Sequence, residues 1–509
     1  MTPLGTKALG GVAAAAVAVG VAQLVGAAFG PEADVRTAVG SAVIDNTPGP
    51  VKEWAIATFG TADKLFLTVM VLLAIAAIAA LAGIAESRRR PIGSTIIVVA
   101  GGVGCAAVLS RAGAGPADVI PTVIGAACGV AALRLLTSQR LDGEAPERGT
   151  DPDRRRSLVT LGLLGAGVAG GVLGVVISRL TSSVAGDRDA YALPRIAEPA
   201  PPIPPTVQPD GVALPSFVTS NADFYRIDTA LTVPQLSRAD WRLRIHGMVD
   251  REVTLTYSDL DRFEVVEQAV TLTCVSNPVG GELISNAVWT GYRVADILAE
   301  AGVQTDADMV LSRSVDGWTA GTPVEALTAG DALLAIGMNG EPLPVEHGYP
   351  ARLVVPGLYG YVSATKWVTG LELTRFDRAE AYWTRLGWSP RGPIKTESRI
   401  DVPRSGQDVA VGPVTFGGVA WAQRRGIRDV EVQIEGPGGT TGWQRATLGQ
   451  SYSNDTWRLW SFPWEATETG MHTITVRATD NSGYTQTPDR ADPVPDGATG
   501  WHSVTFAVR

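Results

Sequence analysis

The chain has 509 residues and a formal net charge of −9, and 45% of its residues are hydrophobic. This length predicts two to four domains, and the positive mean hydropathy is high for a wholly soluble protein. The negative charge and the lack of a long basic stripe argue against a nucleic-acid partner. All four histidines lie outside the apolar segments, which argues against a membrane haem held by paired histidines.

Five apolar stretches occupy roughly the first 180 residues, and most of them approach the ~20 residues that a helix needs to cross a bilayer. They predict a membrane anchor of about five transmembrane helices over residues 1–182. The stretches are Ala8–Phe29, Leu65–Ala85, Ile92–Leu109, Val119–Leu136 and Leu158–Ile177. The alternative for the first is a cleaved signal peptide, but its Ala/Gly-rich run lacks a short polar cleavage region, which favours a retained helix.

Arginines cluster in two loops between these stretches. Arg88-Arg89-Arg90 follows the second stretch, and six arginines lie between Arg134 and Arg156, including Arg140 and Arg148. Cytoplasmic loops are rich in Lys and Arg, so both loops are expected inside the cell. Lys7 places the N-terminus on the same side, and five crossings then leave everything after residue 178 outside the cytoplasm. The chain is thus expected to be a multi-pass cell-membrane protein facing outward.

The pair Arg155-Arg156 precedes Ser157-Leu158-Val159 and resembles a twin-arginine export signal. The other interpretation is ordinary positive flanking of a transmembrane helix. A twin-arginine route would let the downstream domain fold and take up a cofactor in the cytoplasm before it crosses the membrane.

A proline-rich segment, Leu193–Pro209, predicts an extended linker within residues 183–214. Short strands and helices then mix without regular βαβ spacing or a Gly-rich phosphate-binding fingerprint. Residues 215–398 are therefore predicted to form an α+β domain rather than a Rossmann domain. The predicted strands are Trp241–Val249, Val253–Tyr257, Val310–Ser314 and Ala351–Pro356, and the predicted helices are Tyr257–Phe263 and Val294–Ala301.

Cys274 ends the apolar strand pattern Val270–Thr273 and is the only cysteine after Cys128, so its own region offers no disulfide partner. One interpretation is a small buried hydrophobic residue at the end of a strand. The other is a thiolate ligand to a metal-bearing cofactor. Cys274 alone does not decide between them.

Six motifs surround or follow this cysteine in a fixed order. They are Asp223-Phe224-Tyr225-Arg226, Leu272-Thr273-Cys274-Val275-Ser276-Asn277, Trp289-Thr290-Gly291, Met338-Asn339-Gly340-Glu341-Pro342-Leu343-Pro344, His347-Gly348-Tyr349-Pro350-Ala351-Arg352 and Lys366-Trp367. In this order the chain resembles the sulfite oxidase family of molybdopterin enzymes. An ordered set is far more specific than any one motif alone.

The resemblance implies that Cys274 binds molybdenum, which carries a single pyranopterin dithiolene. It also implies that the cofactor is held by Tyr225, Arg226, Ser314, His347, Arg352, Ala364, Thr365 and Lys366. Arg and Lys suit the phosphate at the end of the pterin. No haem is expected, so electrons would pass to an external carrier, cytochrome-linked or quinone-linked.

Two positions depart from the family pattern. Val279 stands where sulfite oxidases have an arginine, and Arg385 stands where they have a catalytic tyrosine. Candidate catalytic residues are Cys274, Arg226, Arg385 and Tyr382. Sulfite-like oxidation of a small oxyanion is the first expectation, and reduction of a methionine-sulfoxide-type substrate is the alternative. A second alternative is a non-catalytic surface binding protein with a degenerate cofactor fold.

Residues 399–509 show about seven short strand patterns separated by turns, which predict an all-β immunoglobulin-like sandwich. The patterns are Val409–Val411, Thr415–Trp421, Asp429–Ile434, Arg445–Leu448, Arg458–Trp464, Gly470–Asp480 and His502–Val508. Without a cysteine pair, its core is expected to depend on Trp421, Trp443, Trp457, Trp460 and Trp464. The resemblance implies that this domain forms a homodimer.

Overall fold

A computed structural model describes residues 3–48, 63–138 and 152–509 together with positions 51, 54 and 58. The chain forms two compact units. One consists of Met1–Ser183 with Ala230–Gln235, and the other of Val184–Thr229 with Leu236–Arg509. Arg140 and Arg148 of the second arginine-rich loop lie outside the described residues.

The first unit is helical. Its helices are α1 (Pro3–Gly26), α2 (Val35–Asn46), α3 (Asp63–Ala85), α4 (Ile92–Leu109), α5 (Ile120–Leu136) and α6 (Pro152–Ser182). Among the described residues, five helices are long and apolar enough to cross a membrane, namely α1 and α3 to α6. The five predicted apolar stretches are thus confirmed as helices, which is compatible with a membrane protein. The first ends at Gly26 rather than Phe29, because Ala27 to Phe29 form a turn.

Helix α1 packs against α3, α5 and α6 through small residues. A Cβ built on Gly11 would lie 1.9 Å from the carbonyl oxygen of Ala79, and one built on Gly20 would lie 2.0 Å from that of Gly167. Glycine is therefore required at these crossings, as is common where helices meet without a hydrophobic driving force. The outer faces expose large apolar side chains such as Leu81 and Leu180, which suits contact with lipid.

The α+β region of the second unit contains two sheets. Its strands are β1 (Arg242–Gly247), β2 (Val253–Thr256), β3 (Val265–Thr273), β4 (Ile284–Arg293), β5 (Met309–Ser314), β6 (Thr319–Pro323), β7 (Leu333–Met338), β8 (Glu341–Pro342), β9 (Arg352–Val354) and β10 (Val368–Thr374). Its helices are α7 (Ala185–Asp189), α8 (Val294–Ala301) and α9 (Val324–Thr328). One sheet has the order β2-β1-β10-β5-β6 and the other β3-β4-β7-β8, with β9 also paired to β7. Only β1 and β10 pair in parallel among the described strands of these sheets. The mixed, mostly antiparallel pairing agrees with an α+β arrangement.

The main core of this region lies under α8. It includes Trp241, Leu243 and Ile245 on and beside β1, all fully buried, and the Trp241 indole donates a 2.8 Å hydrogen bond to the carbonyl of Val368. The predicted helix Tyr257–Phe263 is instead a 3₁₀ turn over Tyr257–Arg262. The Asp259 carboxylate accepts both the backbone N–H and the hydroxyl of Thr256, which caps this tight turn.

The C-terminal region is rich in sheet. Its strands are β11 (Glu397–Val402), β12 (Asp408–Val409), β13 (Gly412–Trp421), β14 (Ile427–Gly436), β15 (Gly439–Thr440), β16 (Gln444–Arg445), β17 (Thr447–Leu448), β18 (Arg458–Ala466), β19 (Gly470–Asp480) and β20 (His502–Val508). One sheet has the order β11-β13-β18-β17, and the other has the order β12-β20-β19-β14-β15 with β16 on β14. The immunoglobulin-like assignment and the dimer stay predictions.

The tryptophans of this region have different roles. Trp460 is fully buried in its core, and Trp464 packs partly buried against that core. Trp421 and Trp457 are buried in a separate cluster that includes Phe217 and Tyr359 of the preceding region. The prediction that Trp443 belongs to the core is wrong, because its ring packs on Trp501, at 4.9 Å between centroids, and under the Arg477 guanidinium.

Candidate functional site

Cys274 follows directly on β3, and the chain turns sharply after it. Its N–H donates to the carbonyl of Leu283 at 2.9 Å, and its carbonyl accepts the Asn277 N–H at 3.1 Å. The Asn277 side chain accepts the Leu283 N–H at 2.9 Å and closes the turn. Burial raises the pKa of the Cys274 thiol above its usual range, while hydrogen bonds from the Ser276 N–H and hydroxyl act in the opposite direction. These donors would favour a thiolate.

Tyr225 lies beside this cysteine. Burial raises the pKa of its phenol, with the Cys274 thiol adding to the shift and the Arg352 guanidinium opposing it. A Cβ built on Gly360 would lie 3.9 Å from the Tyr225 hydroxyl, 3.9 Å from the Thr273 carbonyl oxygen and 3.5 Å from the Ala364 Cβ. These groups therefore meet around the glycine, each at ordinary van der Waals distance from the position of a Cβ.

Arg352 begins β9 and is only 5% exposed. Its guanidinium donates to the carbonyls of His347 and Leu353 and lies 5.0 Å from the centre of the Trp289 ring. Burial lowers its pKa to about 10, and in the described part of the chain no carboxylate forms an ion pair with it. Such a buried cation favours an anionic ligand.

Lys366 is a second buried cation, at 9% exposure. Its Nζ donates to Asp228 Oδ2 at 2.8 Å and to the Glu346 carbonyl at 3.1 Å. The same Asp228 oxygen accepts the Arg226 Nε–H at 2.9 Å, so one carboxylate serves two cations. Burial lowers the pKa of Lys366 to about 8 in spite of the Asp228 charge. The positive charge here is thus only partly compensated by the protein.

His347 ends a 3₁₀ turn and packs edge-on against Phe224. Burial lowers its pKa to about 3, and the positive charges of Arg352 and Lys366 add to this effect. The imidazole is therefore neutral at physiological pH and can act through hydrogen bonds rather than through charge.

Ser314 and Trp318 lie on the β5–β6 hairpin next to Lys366-Trp367, since the Val315 N–H donates to the Trp367 carbonyl at 3.0 Å. The Ser314 Oγ and the Trp318 Nε1 are buried and have no hydrogen-bond partner among the described residues. Buried polar atoms in native proteins are normally satisfied, so both suit a polar ligand.

Ala364 and Thr365 lie between the glycine turn and Lys366. The Ala364 carbonyl accepts from Arg352 at 3.5 Å, whereas the Thr365 hydroxyl already bonds the Ser312 hydroxyl at 2.6 Å. Thr365 therefore reaches a ligand more readily through its backbone than through its side chain.

The two remaining predicted residues lie on a separate segment. Tyr382 is half-buried, packs on Trp383 at 5.2 Å between ring centroids and donates its N–H to Thr319. Arg385 is exposed on the 3₁₀ turn Thr384–Leu386. Their catalytic roles stay predictions.

The strand that leads to Cys274 is also held by the C-terminal region. The buried Gln423 donates from Nε2 to the Thr271 carbonyl at 3.0 Å and to the Thr273 hydroxyl at 3.3 Å. The Trp457 N–H donates to the Thr271 hydroxyl at 2.8 Å, and the Thr271 N–H to the Asp455 carbonyl at 3.0 Å. Sequence reasoning missed both Gln423 and Asp228. The only available signal for Asp228 was its place two residues after Arg226.

Comparison with known proteins identifies the domain that contains these residues. Residues 230–383 match the oxidoreductase molybdopterin-binding domain. An uncharacterized oxidoreductase of Bacillus subtilis, YuiH, is 38% identical over 152 residues, which are 30% of this chain and 74% of that protein. The chain belongs to the sulfite oxidase family of molybdopterin oxidoreductases.

Other members of this family are also similar. Human mitochondrial sulfite oxidase is 31% identical over 346 residues, which are 58% of this chain and 62% of the human protein. The chain therefore spans less than two thirds of that relative. The crystal structure of the sulfane dehydrogenase SoxCD of Paracoccus pantotrophus has 25% identity and a TM-score of 0.46, covering 55% of this chain and 76% of that one.

The site's chemistry fits the cofactor of this family. No group of three or more His, Cys, Asp or Glu residues that could hold a metal ion occurs among the described residues, so a metal at Cys274 would take its other ligands from the cofactor. The buried Arg352 and Lys366 fit anionic groups, and the unpartnered Ser314 hydroxyl fits a polar edge.

Proposed function

We propose that this protein is a membrane-anchored molybdopterin oxidoreductase whose catalytic region lies outside the cytoplasm and oxidises sulfite or a related small oxyanion. When bound, the molybdenum cofactor supplies oxygen-atom transfer and accepts two electrons. The observation that carries the proposal is the buried Cys274 turn with the incompletely compensated cations Arg352 and Lys366 in the same region.

The chain's own residues hold and orient the reactants. Cys274 would be the protein ligand to the metal, and the Ser276 donors would stabilise its thiolate. Arg352 and Lys366 would hold the anionic end of the cofactor with the backbone at Ala364 and Thr365. Arg226, whose side chain is 40% exposed, is placed to attract an oxyanion from solvent.

The helical unit supports the proposed position in the cell. The five apolar helices and the arginines that flank them support a multi-pass anchor with the catalytic region on the extracytoplasmic side. Electrons would then leave through an external cytochrome-linked or quinone-linked carrier. The C-terminal region, proposed as an immunoglobulin-like sandwich, is the proposed homodimer contact.

A second candidate, reduction of a sulfoxide such as methionine sulfoxide, is favoured by the charges at Arg226. Val279 replaces an arginine expected after the metal ligand, and Asp228 already pairs with Arg226. A site with fewer uncompensated cations binds a dianion less strongly, and a neutral sulfoxide has no such requirement.

The test compares the wild type, Cys274→Ser and the matched control Cys128→Ser. Molybdenum and pterin content are measured, followed by turnover of sulfite and of methionine sulfoxide with artificial electron carriers. We expect Cys274→Ser to fold and lose turnover while Cys128→Ser keeps it. Full turnover in Cys274→Ser would refute the role of this thiol. Wild-type protein without stoichiometric molybdenum and pterin would favour the non-catalytic alternative.

A further inference from the structure

A small cavity lies behind the Cys274 turn, where the C-terminal sheets meet the preceding region. It is lined by Thr273, Asn277, Tyr359, Glu397, Trp421 and Ala498. Its volume is about 10 Å³, close to the smallest space that holds one water molecule. Thr273 directly precedes Cys274, and Asn277 closes its turn, so the cavity touches both ends of that turn.

Two polar groups of the lining are incompletely satisfied. Glu397 is 6% exposed, and the hydrogen bond described for its carboxyl is a long one, 3.5 Å from the Gln486 Nε2. The Trp421 Nε1 is buried and has no partner among the described residues. One water molecule could accept from this indole and bond the carboxyl, which would satisfy both groups.

The Glu397 carboxyl carries a proton at neutral pH. Burial raises its pKa to about 8, and the positive Lys395 only partly opposes this effect, since its Nζ is bonded to Asp496 and to the Gly497 carbonyl. Tyr359 also lines the cavity and stays protonated, because burial raises its pKa above its usual range.

Two further carboxylates lie on or close to β11. Asp401, on the strand itself, pairs with the Arg399 guanidinium at 2.8 Å. Asp480 of β19 bonds the neighbouring Thr396 hydroxyl, and it is compensated by the Arg425 guanidinium at 2.8 Å. It therefore remains ionised, and it does not supply the proton.

We propose that this cavity is a proton-carrying site, in which Glu397 and one bound water form a hydrogen-bonded chain to the turn that holds Cys274. The coupling to Cys274 rests on the proposed function, whereas the site itself does not. When electrons leave for the external carrier, the charge around Cys274 would become more positive and the carboxyl would release one proton to solvent. When electrons from the oxidised substrate make that charge more negative, the carboxyl would take one proton back from solvent.

Infrared spectroscopy of the full-length protein tests the site. We expect a band of a buried carboxylic acid at pH 6 that disappears by pH 10, is absent in Glu397→Gln and remains in the exposed control Glu341→Gln. In Trp421→Phe, shown to fold by circular dichroism, the band should shift as its hydrogen bonding weakens. Absence of a Glu397-dependent band overturns the proton site, and an unshifted band in Trp421→Phe overturns the bound water.

A second measurement tests the coupling. The oxidised-minus-reduced infrared difference spectrum of the molybdenum-loaded protein should contain the Glu397 band and lose it in Glu397→Gln. A spectrum without this band, in protein that shows it at equilibrium, overturns the coupling. A preparation without molybdenum contradicts the proposed function instead, and the first measurement then decides the proton site alone.

Discussion

Replacing Asp228 by asparagine removes the single carboxylate that serves both Lys366 and Arg226. The side chain of Asp228 is 5% exposed and that of Lys366 is 10% exposed, so their charges are poorly screened by solvent. A buried charge that loses its partner is normally costly. Here the loss of stability has an upper limit, because Lys366 can release its proton and become neutral.

This upper limit follows from the pKa of Lys366, which is about 8 in the folded protein, whereas its ordinary value is 10.5. Each pH unit below that pKa is worth about 1.4 kcal/mol. The Lys366-dependent destabilisation of Asp228→Asn is therefore at most about 1 kcal/mol at pH 7 and about 3 kcal/mol at pH 6. At pH 9.5 the wild-type lysine is already largely neutral, so the part of the destabilisation that depends on the Lys366 charge should nearly vanish.

The assay is the thermal unfolding midpoint of the full-length protein at pH 6, 7 and 9.5. With roughly 1.5 °C per kcal/mol for the large second unit, from ~2.1 cal/mol/K per residue, the variant should melt up to about 4 °C below the wild type at pH 6 and by less at pH 9.5. The control Asp377→Asn breaks an exposed pair with Arg375 and should show no such pH trend. Equal destabilisation of Asp228→Asn at pH 6 and 9.5 would show that Lys366 is not charged through this pair.

Two further predictions concern stability. Burial lowers the pKa of His502 to about 4, so its contribution to the free energy of unfolding is lost as the pH falls from 6.5 through 4. His502→Asn keeps an acceptor for the Ile400 N–H and should reduce this loss of stability by about 2–3 kcal/mol in denaturant titrations at pH 4. An unchanged dependence of stability on acid pH contradicts this. Gly167→Val should disrupt the α1–α6 crossing and lower the melting temperature of the protein in detergent. Gly162→Val should not, because no atom lies within 4 Å of a Cβ built on Gly162. Equal melting temperatures of the two variants would refute the close approach of the helices.

Hydropathy predicted the helical unit well, because a membrane-spanning helix is specified by its own composition. The ordered motifs likewise predicted roles for Cys274, His347, Arg352 and Lys366; the fold places these residues in one region, and their roles stay predictions. Asp228 was not predicted, because its role is to pair with Lys366, which lies 138 residues further along the chain. Such long-range pairs leave no local pattern.

In the C-terminal region, too, the sequence-based predictions failed where a residue's role depends on distant parts of the chain. Strand alternation located β19 and β20 with their observed bounds. Burial of individual tryptophans depends on which sheet face meets which neighbour, so Trp443 was wrongly assigned to the core. In the sequence, Gln423 is an ordinary polar residue after a strand pattern. Its hydrogen bond to the Thr271 carbonyl is visible only in the fold.

The bonds from Gln423 and Trp457 to Thr271 have a consequence for dissecting this protein. A fragment cut at residue 398 would contain every residue proposed to touch the cofactor, yet it would expose the outer side of the strand that delivers Cys274. The unpaired Thr271 backbone and hydroxyl would have to find water instead. Neither half is thus an independent module, and insertion or deletion between them should be tolerated less well than in the proline-rich segment upstream.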